Sequence, residues 1–591
     1  MEIFGADIAG INGHLIRFEA VKQEGGGGVA LLGLAQRVVR EGLSRAAHAI
    51  TTLEGDWGIE GSGYTISMRP AETTKVSSGL DLPLAITLLH ARVLQNLDKL
   101  TAAIEKLDSK IDSMHDRDGK DELRRRILAL RAAKITERET AIKYQRRLSS
   151  NKSKYLLIGQ LSITSGQIET PEHGMLEMLA AAKPGFCIIA PEDSEVHAAL
   201  TAERVQGVTA YKARTLQEVW SIILGAANPR KARVQGVVEK KRITGYVPDI
   251  KDIKGCSRAK LAMTVALAGG HNILLVGPQG QGKTMLAQAG LRLMPKLKSS
   301  EVFEVNKIYS ARGDLAGNEL VVDRPFQLAP SNITPPALLG GGIPPRPGVV
   351  SLAHCGVLFF DEINMCSSSL VEHLRGPLND RQVSVARNRG MVRFPCSFIL
   401  VAAMNPCSCG WDQHYECPEC DEILFGGRST CPAHPYVKPR RKCTCSRHSI
   451  AAFRQKLSGP LLDRIDLKVM VSAFDREDSG GPTHATSTVQ RLIQQARDVQ
   501  ESRYRRAGAT FNCNADVPDL SQLADTDKEA TGLLRKVSKK YKIETLRKQT
   551  KLVLVARTVA DLAGARAISE PHMEKAAELM GINDPYIGEL A

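Results

Sequence analysis

Gly277-Pro-Gln-Gly-Gln-Gly-Lys-Thr284 is the stretch that decides the fold. Gly277, Gly282, Lys283 and Thr284 stand at the spacing of a phosphate-binding loop. Glycine lets backbone N–H groups turn inward and approach phosphate oxygens closely. The pattern assigns Lys283 to the β- and γ-phosphates of ATP and Thr284 to Mg²⁺, with Pro278, Gln279, Gly280, Gln281 and Met285 lining the same nucleotide site. The flanks agree: His271-Asn-Ile-Leu-Leu-Val276 reads as a buried strand, and Met285-Leu-Ala-Gln288 opens a helix. A strand, a glycine loop and a helix in that order are the context the motif requires.

Downstream, Gly356-Val-Leu-Phe-Phe-Asp-Glu-Ile363 is a second apolar strand that ends in two acids. After a phosphate loop, Asp361 is expected to bind Mg²⁺ through water, and Glu362 to orient and polarise the water that attacks ATP. Ile399-Leu-Val-Ala-Ala-Met-Asn405 is a third apolar strand, and its terminal Asn405 is placed to help hold that water.

At these residues the chain resembles the magnesium-chelatase-like AAA+ ATPases of the ComM (YifB) type. The resemblance is carried by Gly269-Gly-His-Asn-Ile-Leu-Leu-Val-Gly-Pro278, Arg324-Pro-Phe326, Gly340-Gly-Gly-Ile-Pro-Pro-Arg-Pro-Gly348, Ser351-Leu-Ala-His-Cys-Gly-Val-Leu-Phe359, Val401-Ala-Ala-Met-Asn-Pro-Cys407 and Ser458-Gly-Pro-Leu-Leu-Asp-Arg-Ile-Asp466. It implies an α/β fold: an AAA+ core at 251–475 and a C-terminal helical lid at 476–591, after a Lon-protease-like α/β domain at 1–225 and a basic linker at 226–250. It makes Asn405 the sensor-1 residue and Arg557 the sensor-2 arginine, with Arg547 a second family arginine. Arg464 becomes an arginine finger that acts on ATP bound by the neighbouring subunit, so the active site exists only between subunits of a homo-hexamer. Two insertions follow from the same resemblance, residues 313–350 and a β-hairpin over Gln382–Phe394. The hairpin carries Arg387, Arg389 and Arg393 around an Asn388-Arg-Gly390 tip, facing a central pore. The implied activity is that of an ATP-driven helicase or branch-migration factor on single-stranded or branched DNA in recombination intermediates. A chelatase-type or protein-remodelling ATPase working on a protein partner is the alternative.

The sequence departs from the family in two places. Where a Pro-His-His is usual after Arg324-Pro-Phe326, this chain has Pro330-Ser-Asn332. In the Lon-like domain, Asp81 stands where a nucleophile is expected, in Ser78-Gly-Leu-Asp81, and Ser165-Gly-Gln-Ile-Glu-Thr170 offers no lysine. Peptidase activity is therefore not expected, and Ser77 and Ser78 are the only residues that could restore it.

The cysteines carry a separate signal. Seven of the 13 fall between Cys407 and Cys445. Cys417-Pro-Glu-Cys420 and Cys431-Pro-Ala-His434 form two knuckles suited to one tetrahedral Zn²⁺, and Cys407, Cys409, Cys443 and Cys445 bracket them as a second four-sulfur set. His414 and His448 are reserve ligands. Four protein ligands leave no open position, so the metal is expected to be structural.

Length allows several domains in the 591 residues, and no apolar run approaches the ~20 residues of a membrane span. The start, Met1-Glu-Ile-Phe-Gly-Ala-Asp7, lacks a basic region before an apolar one, so a cytoplasmic protein is expected. The net charge of +15, from 79 basic and 64 acidic residues, suits a polyanionic partner. Within the first domain, Val93, Leu97, Leu100, Ile104, Leu107, Ile111 and Met114 repeat at coiled-coil spacing, with Asp116-Arg-Asp-Gly119 as a turn. A second helix then carries Arg124, Arg125, Arg126, Arg131, Lys134, Arg138, Lys143, Arg146 and Arg147. Residues 91–150 are thus expected to form an inserted helical hairpin. Its charge fits an arm that touches DNA or a protein partner, and equally a helix face that is only solvated.

Overall fold

The apolar runs read above form the middle of a parallel sheet. In a computed structural model the chain is described except for residues 24–27, 54–62, 72–74, 113–120, 236, 241–246, 254, 388–389, 411–414, 417–422, 425–442, 458, 472–484, 505–511, 515–527, 544 and 583–591. It divides into two units, Met1–Lys240 with Asn306–Leu320, and Lys241–Val305 with Val321–Ala591.

The first unit is built on an eight-stranded sheet among the described residues, made of β1 (Glu2–Ala9), β2 (Asn12–Gln23), β3 (Gly28–Leu32), β4 (Gly63–Arg69), β5 (Lys154–Leu157), β6 (Phe186–Pro191), β7 (Thr209–Ala213) and β8 (Arg230–Lys231). Their order is β8-β7-β6-β5-β1-β2-β4-β3. The sheet is mixed: β1 runs antiparallel to β2 and parallel to β5. Helix α1 (Arg37–Thr51) buries Val39, Ala46, Ala49 and Ile50, a stripe at helical spacing.

The first arm of the hairpin proves to be the far part of one long helix, α2 (Asp81–Asp112). No glycine or proline interrupts Leu84–Asp112, so nothing in the sequence stops it. Its first turns are core, with Leu82, Leu84, Ile86, Leu88 and Leu89 buried, and α3 (Asp121–Ser150) packs against it as the second arm. The expected turn at Asp116–Gly119 lies outside the described residues.

The second unit holds five parallel strands among the described residues: β9 (Ile273–Val276), β10 (Phe326–Ala329), β11 (Val357–Phe360), β14 (Ile399–Met404) and β15 (Leu467–Met470). The hairpin β12 (Gln382–Arg387) and β13 (Gly390–Pro395) stands apart from them. Sheet order is β10-β11-β14-β9-β15. Every residue of β9, β11 and β14 is buried, as a sheet covered on both faces demands. This arrangement is consistent with the expected AAA+ core. Helix α4 (Ser257–Gly269) and α5 (Lys283–Leu293) pack beside the sheet. Further on, α6 (Thr486–Tyr504) and α8 (Leu546–Leu562) pack on α4, and α7 (Lys528–Lys540) and α9 (Glu570–Leu579) lie against α8. No helix among the described residues is long and apolar enough to cross a membrane.

One buried acid in the first unit gives the fold a pH dependence. Glu177 is fully buried, and burial pushes its carboxyl from 4.5 up to about 8, although Ser310 Oγ donates to its Oε2 at 2.7 Å. The folded chain keeps a proton that the unfolded chain releases near 4.5. Stability should therefore fall as pH rises from 4.5 to about 8 and level off above. Glu177→Gln carries no such proton. It is expected to melt later than the parent above pH 8 and to lose that advantage towards pH 4.5. Thermal melts of the full chain across the range check this, and parallel curves for the two proteins would contradict it.

Candidate functional site

The residues that follow the three apolar strands meet at one end of the sheet. Gly277 follows β9, Asp361 and Glu362 follow β11, and Asn405 follows β14. In a parallel sheet these carboxyl ends face the same way, and β9 lies between its neighbours β14 and β15. That is the end where open α/β sheets bind ligands.

The phosphate loop turns into α5 through two left-handed glycines, Gly280 at φ +77° and Gly282 at φ +80°. A side chain at either would be strained, which is why the motif needs glycine there. Lys283 is nearly buried and points back under the loop, donating to the carbonyls of Gly277 at 2.6 Å and Pro278 at 2.9 Å and to Asn405 Oδ1 at 3.0 Å. Asn405 Nδ2 in turn donates to Glu362 Oε1 at 3.1 Å. One hydrogen-bonded chain thus joins Lys283, Asn405 and Glu362. Burial pushes the Lys283 ammonium down to about 8, against the pull of Asp361 and Glu362. A phosphate beside it favours the charged form.

Thr284 Oγ1 donates to Asp361 Oδ2 at 3.0 Å. Adjacent ligands in an octahedral Mg²⁺ shell, with bonds of 2.0–2.1 Å, stand about 2.9 Å apart. A 3.0 Å separation would suit two adjacent direct ligands of such a shell. Glu362 has φ +50°, a backbone conformation rare for anything but glycine. Such strain persists only where the surroundings impose it, and it gathers at functional sites.

Arg464 lies apart from this cluster. It is half-buried, donating to Asn379 Oδ1 at 2.8 Å and to the Pro460 carbonyl at 2.5 Å. Partial burial, followed by the charges of Arg547 and Arg375, holds its guanidinium below the ordinary value. Asp463 and Glu372 offset part of this, and Arg375 donates to Glu372 Oε2 at 2.6 Å. The structure does not bring Arg557 to the loop. Its side chain is buried, paired with Asp561 Oδ1 at 3.0 Å and donating to the carbonyls of Ala565 and Arg566 at 2.5 and 2.8 Å. The reason is local: Asp561 stands one helical turn after Arg557, so the two meet on the inner face of α8. Arg547, at the exposed start of the same helix, is the arginine left facing solvent.

Cys407, Cys409, Cys443 and Cys445 come together, with all four sulfurs within 4.8 Å of one another. Three of the separations are 3.2, 3.5 and 3.7 Å. A tetrahedral Zn²⁺ with Zn–S bonds of 2.3 Å sets its sulfurs about 3.8 Å apart, so this donor set fits the ion. Cys417, Cys420, Cys431, His434 and His414 lie outside the described residues, and His448 is exposed.

In the first unit, Asp81 is tied to Arg45 by bonds of 2.6 and 3.1 Å and accepts from the Leu161 N–H at 3.1 Å. Ser77 Oγ donates to Met178 Sδ at 3.1 Å and accepts from the Gly79 N–H at 3.0 Å. Neither arrangement has the lysine-activated hydroxyl of a Ser–Lys peptidase. The hairpin β12–β13 forms as expected, and Arg393 is exposed on it. The side chains of Arg387 and Arg389 lie outside the described residues.

Asn379, Asn272 and His271 were not legible as site residues. The only signal was a pair of polar residues, His271-Asn272, at the foot of an apolar strand.

Comparison with known proteins points to one family. The family described as magnesium chelatase, subunit ChlI, matches residues 249–425 and 419–479, and its C-terminal counterpart matches 483–579. A third family, subunit ChlI of Mg-chelatase, matches residues 19–113. An uncharacterized protein of Mycobacterium tuberculosis is 30% identical over 574 residues, covering 95% of this chain and 94% of its own. The competence protein ComM of Haemophilus influenzae is 27% identical, covering 96% of this chain and 94% of its own. YifB of Escherichia coli is 27% identical, covering 97% and 96%.

Two substitutions test the site. Lys283→Ala is expected to abolish ATP binding, measured by a fluorescent nucleotide. Cys443→Ser is expected to lower bound zinc by about one ion per chain, measured by elemental analysis, with a lower melting temperature. Unchanged zinc content would remove the four-sulfur set from consideration.

Proposed function

This chain belongs to the magnesium-chelatase-like ComM family of AAA+ ATPases, and from that premise we propose that it is a hexameric motor that couples ATP hydrolysis to movement along DNA. The observation that carries the ATPase reading is the convergence of Lys283, Asn405 and Glu362 with Thr284 and Asp361 at one end of the sheet. Lys283 and the loop amides hold the β- and γ-phosphates. Thr284 and Asp361 would hold Mg²⁺, which would supply positive charge against the charge that develops on the phosphates. Glu362 orients the attacking water, and Asn405 fixes the Glu362 carboxylate.

Charge that develops on the γ-phosphate needs a further cation. Within its own subunit Arg464 donates to Asn379 and Pro460 instead of the loop, which fits a finger that serves the neighbour's nucleotide. Its cluster with Arg547 and Arg375 supports assigning Arg547, in place of Arg557, to the same triphosphate. Helices α6 to α9 are read as the lid, and the first unit as a Lon-like domain without peptidase activity.

The DNA reading rests on the net charge of +15, on the exposed Arg393 of the β12–β13 hairpin, and on the relationship to a competence protein. Phosphate backbones bind such surfaces largely through charge. Branched DNA in recombination intermediates is the proposed substrate. The arm α2–α3, with Arg125, Arg126, Lys143 and Arg146 exposed on α3, is a second proposed contact for DNA or a protein client.

ATP hydrolysis by zinc-replete protein, without DNA and with single-stranded, duplex and branched DNA, tests this reading. Stimulation greatest with branched DNA is expected; a rate indifferent to every DNA would move the assignment to a protein client. Glu362→Gln is expected to bind ATP normally and to lower kcat by about 10²- to 10⁴-fold. Ordinary turnover in that variant would refute the role given to Glu362.

A further inference from the structure

The dipeptide His271-Asn272 stands where the chain enters β9, and the chemistry above does not use it. Asn272 is bonded on every side. Its carbonyl accepts the N–H groups of Asp466 and Leu467, each at 3.0 Å. Its Nδ2 donates to the carbonyl of Arg464 at 3.0 Å, and its Oδ1 accepts from the Leu400 N–H at 2.9 Å. Leu400 lies in β14, the strand that ends at Asn405. One side chain thus ties the backbone of the arginine to the strand that carries the water-positioning amide.

His271 continues the clamp. It is buried, with Nδ1 3.3 Å from Asp466 Oδ2 and Nε2 2.8 Å from Thr558 Oγ1 on α8. Lys551 Nζ, also on α8, lies 2.6 Å from Asp466 Oδ1. Burial opposes a charge on Asp466, but Lys551 and His271 outweigh it and hold the carboxyl well below the usual carboxylate range. A Cβ built on Gly269 would stand 2.4 Å from both His271 Nε2 and Thr558 Oγ1, so the imidazole is walled in at that side.

The contrast lies within one residue. The Arg464 carbonyl is pinned, whereas its guanidinium is half-exposed and held by one side-chain amide and one carbonyl. A long side chain whose tip must reach another subunit is aimed by its backbone, because its own rotamers are many.

We propose that His271 and Asn272 are positioning residues for Arg464: they fix the backbone of residues 464–466 against β14 and α8, and so set the finger for the neighbouring subunit's nucleotide. This rests on reading Arg464 as a finger that acts in trans. It also links finger placement to α8, since any shift of Thr558 or Lys551 moves Asp466.

Subunit mixing tests the proposal. His271→Ala is expected to lower kcat by about 10- to 100-fold, the cost of a misplaced catalytic group, while its own phosphate loop binds ATP with unchanged Kd. Arg464→Ala serves as the control. Each variant is mixed with Glu362→Gln, whose subunits carry an intact Arg464 and no working water-positioning acid. If the defect is in the finger, Glu362→Gln neighbours supply it, and the mixture hydrolyses ATP faster than the sum of its parts. Recovery with both Arg464→Ala and His271→Ala is the expected result. Recovery with Arg464→Ala alone would overturn the role of His271 and leave the finger standing. Recovery with neither would overturn the trans finger, and this inference with it. Parent-like turnover or lost ATP binding in His271→Ala would also refute it. Should that variant fail to fold by circular dichroism, Asp466→Asn, which removes the charge that His271 and Lys551 hold, takes its place under the same outcomes.

Discussion

Lys283 must bring a positive charge into a place that burial makes hostile to charge. Burial pushes its ammonium down to about 8, and the carboxylates of Asp361 and Glu362 oppose that push. This balance orders the rest of the second unit. The lysine has to be near two acids, yet neither may form a closed ion pair that excludes phosphate. The structure meets both demands by giving the ammonium neutral partners, two loop carbonyls and Asn405 Oδ1. The acids engage neutral groups instead, Asp361 with Thr284 and Glu362 with Asn405. Asn405 bonds to both the cation and the acid, so it keeps them in register without joining them.

A site of this kind tolerates little movement, and one buried polar network beside it is closely bonded. Asp561 receives Arg503 at 2.7 and 3.0 Å, Arg557 at 3.0 Å and Asn512 at 3.0 Å. Asn512 also donates to Thr558 Oγ1 at 2.9 Å, which reaches His271 and hence Asp466. Buried polar networks are rigid when every member is satisfied. This one spans α6, α8, β9 and the turn that carries Arg464, so the helices after residue 486 act as part of the frame of the nucleotide site. Arg557 belongs to that frame.

Parts of this were readable from the chain alone, because their physical requirements are local. A phosphate loop needs glycine at left-handed positions, and Gly280 and Gly282 adopt them. A buried parallel strand needs an unbroken apolar run, and 273–276, 357–360 and 399–404 have one. The hairpin arms α2 and α3 were legible from spacing, although where α2 begins was not. Strand β1 went unread because Glu2–Ala9 mixes polar and apolar residues without a sustained alternation. Arg557 was read as the sensor-2 arginine from its place in the family pattern; that its side chain pairs with Asp561 was not legible, because the partner is set by which face of the helix turns inward.

The sequence by itself therefore determined the kinds of chemistry present: a phosphate cradle, two acids after an apolar strand, an amide after the next, and paired cysteines. Each is dictated by backbone conformation or burial within a few residues. Tertiary structure decided how they meet. Asn405 reaches Lys283 across 122 residues of chain, Cys409 reaches Cys443 across 34, and His271 reaches Asp466 across 195. The first and third of those meetings follow from the strand order β10-β11-β14-β9-β15, which no window of sequence contains. They arise when buried strands pack side by side, and the partners of a strand are set by the whole sheet.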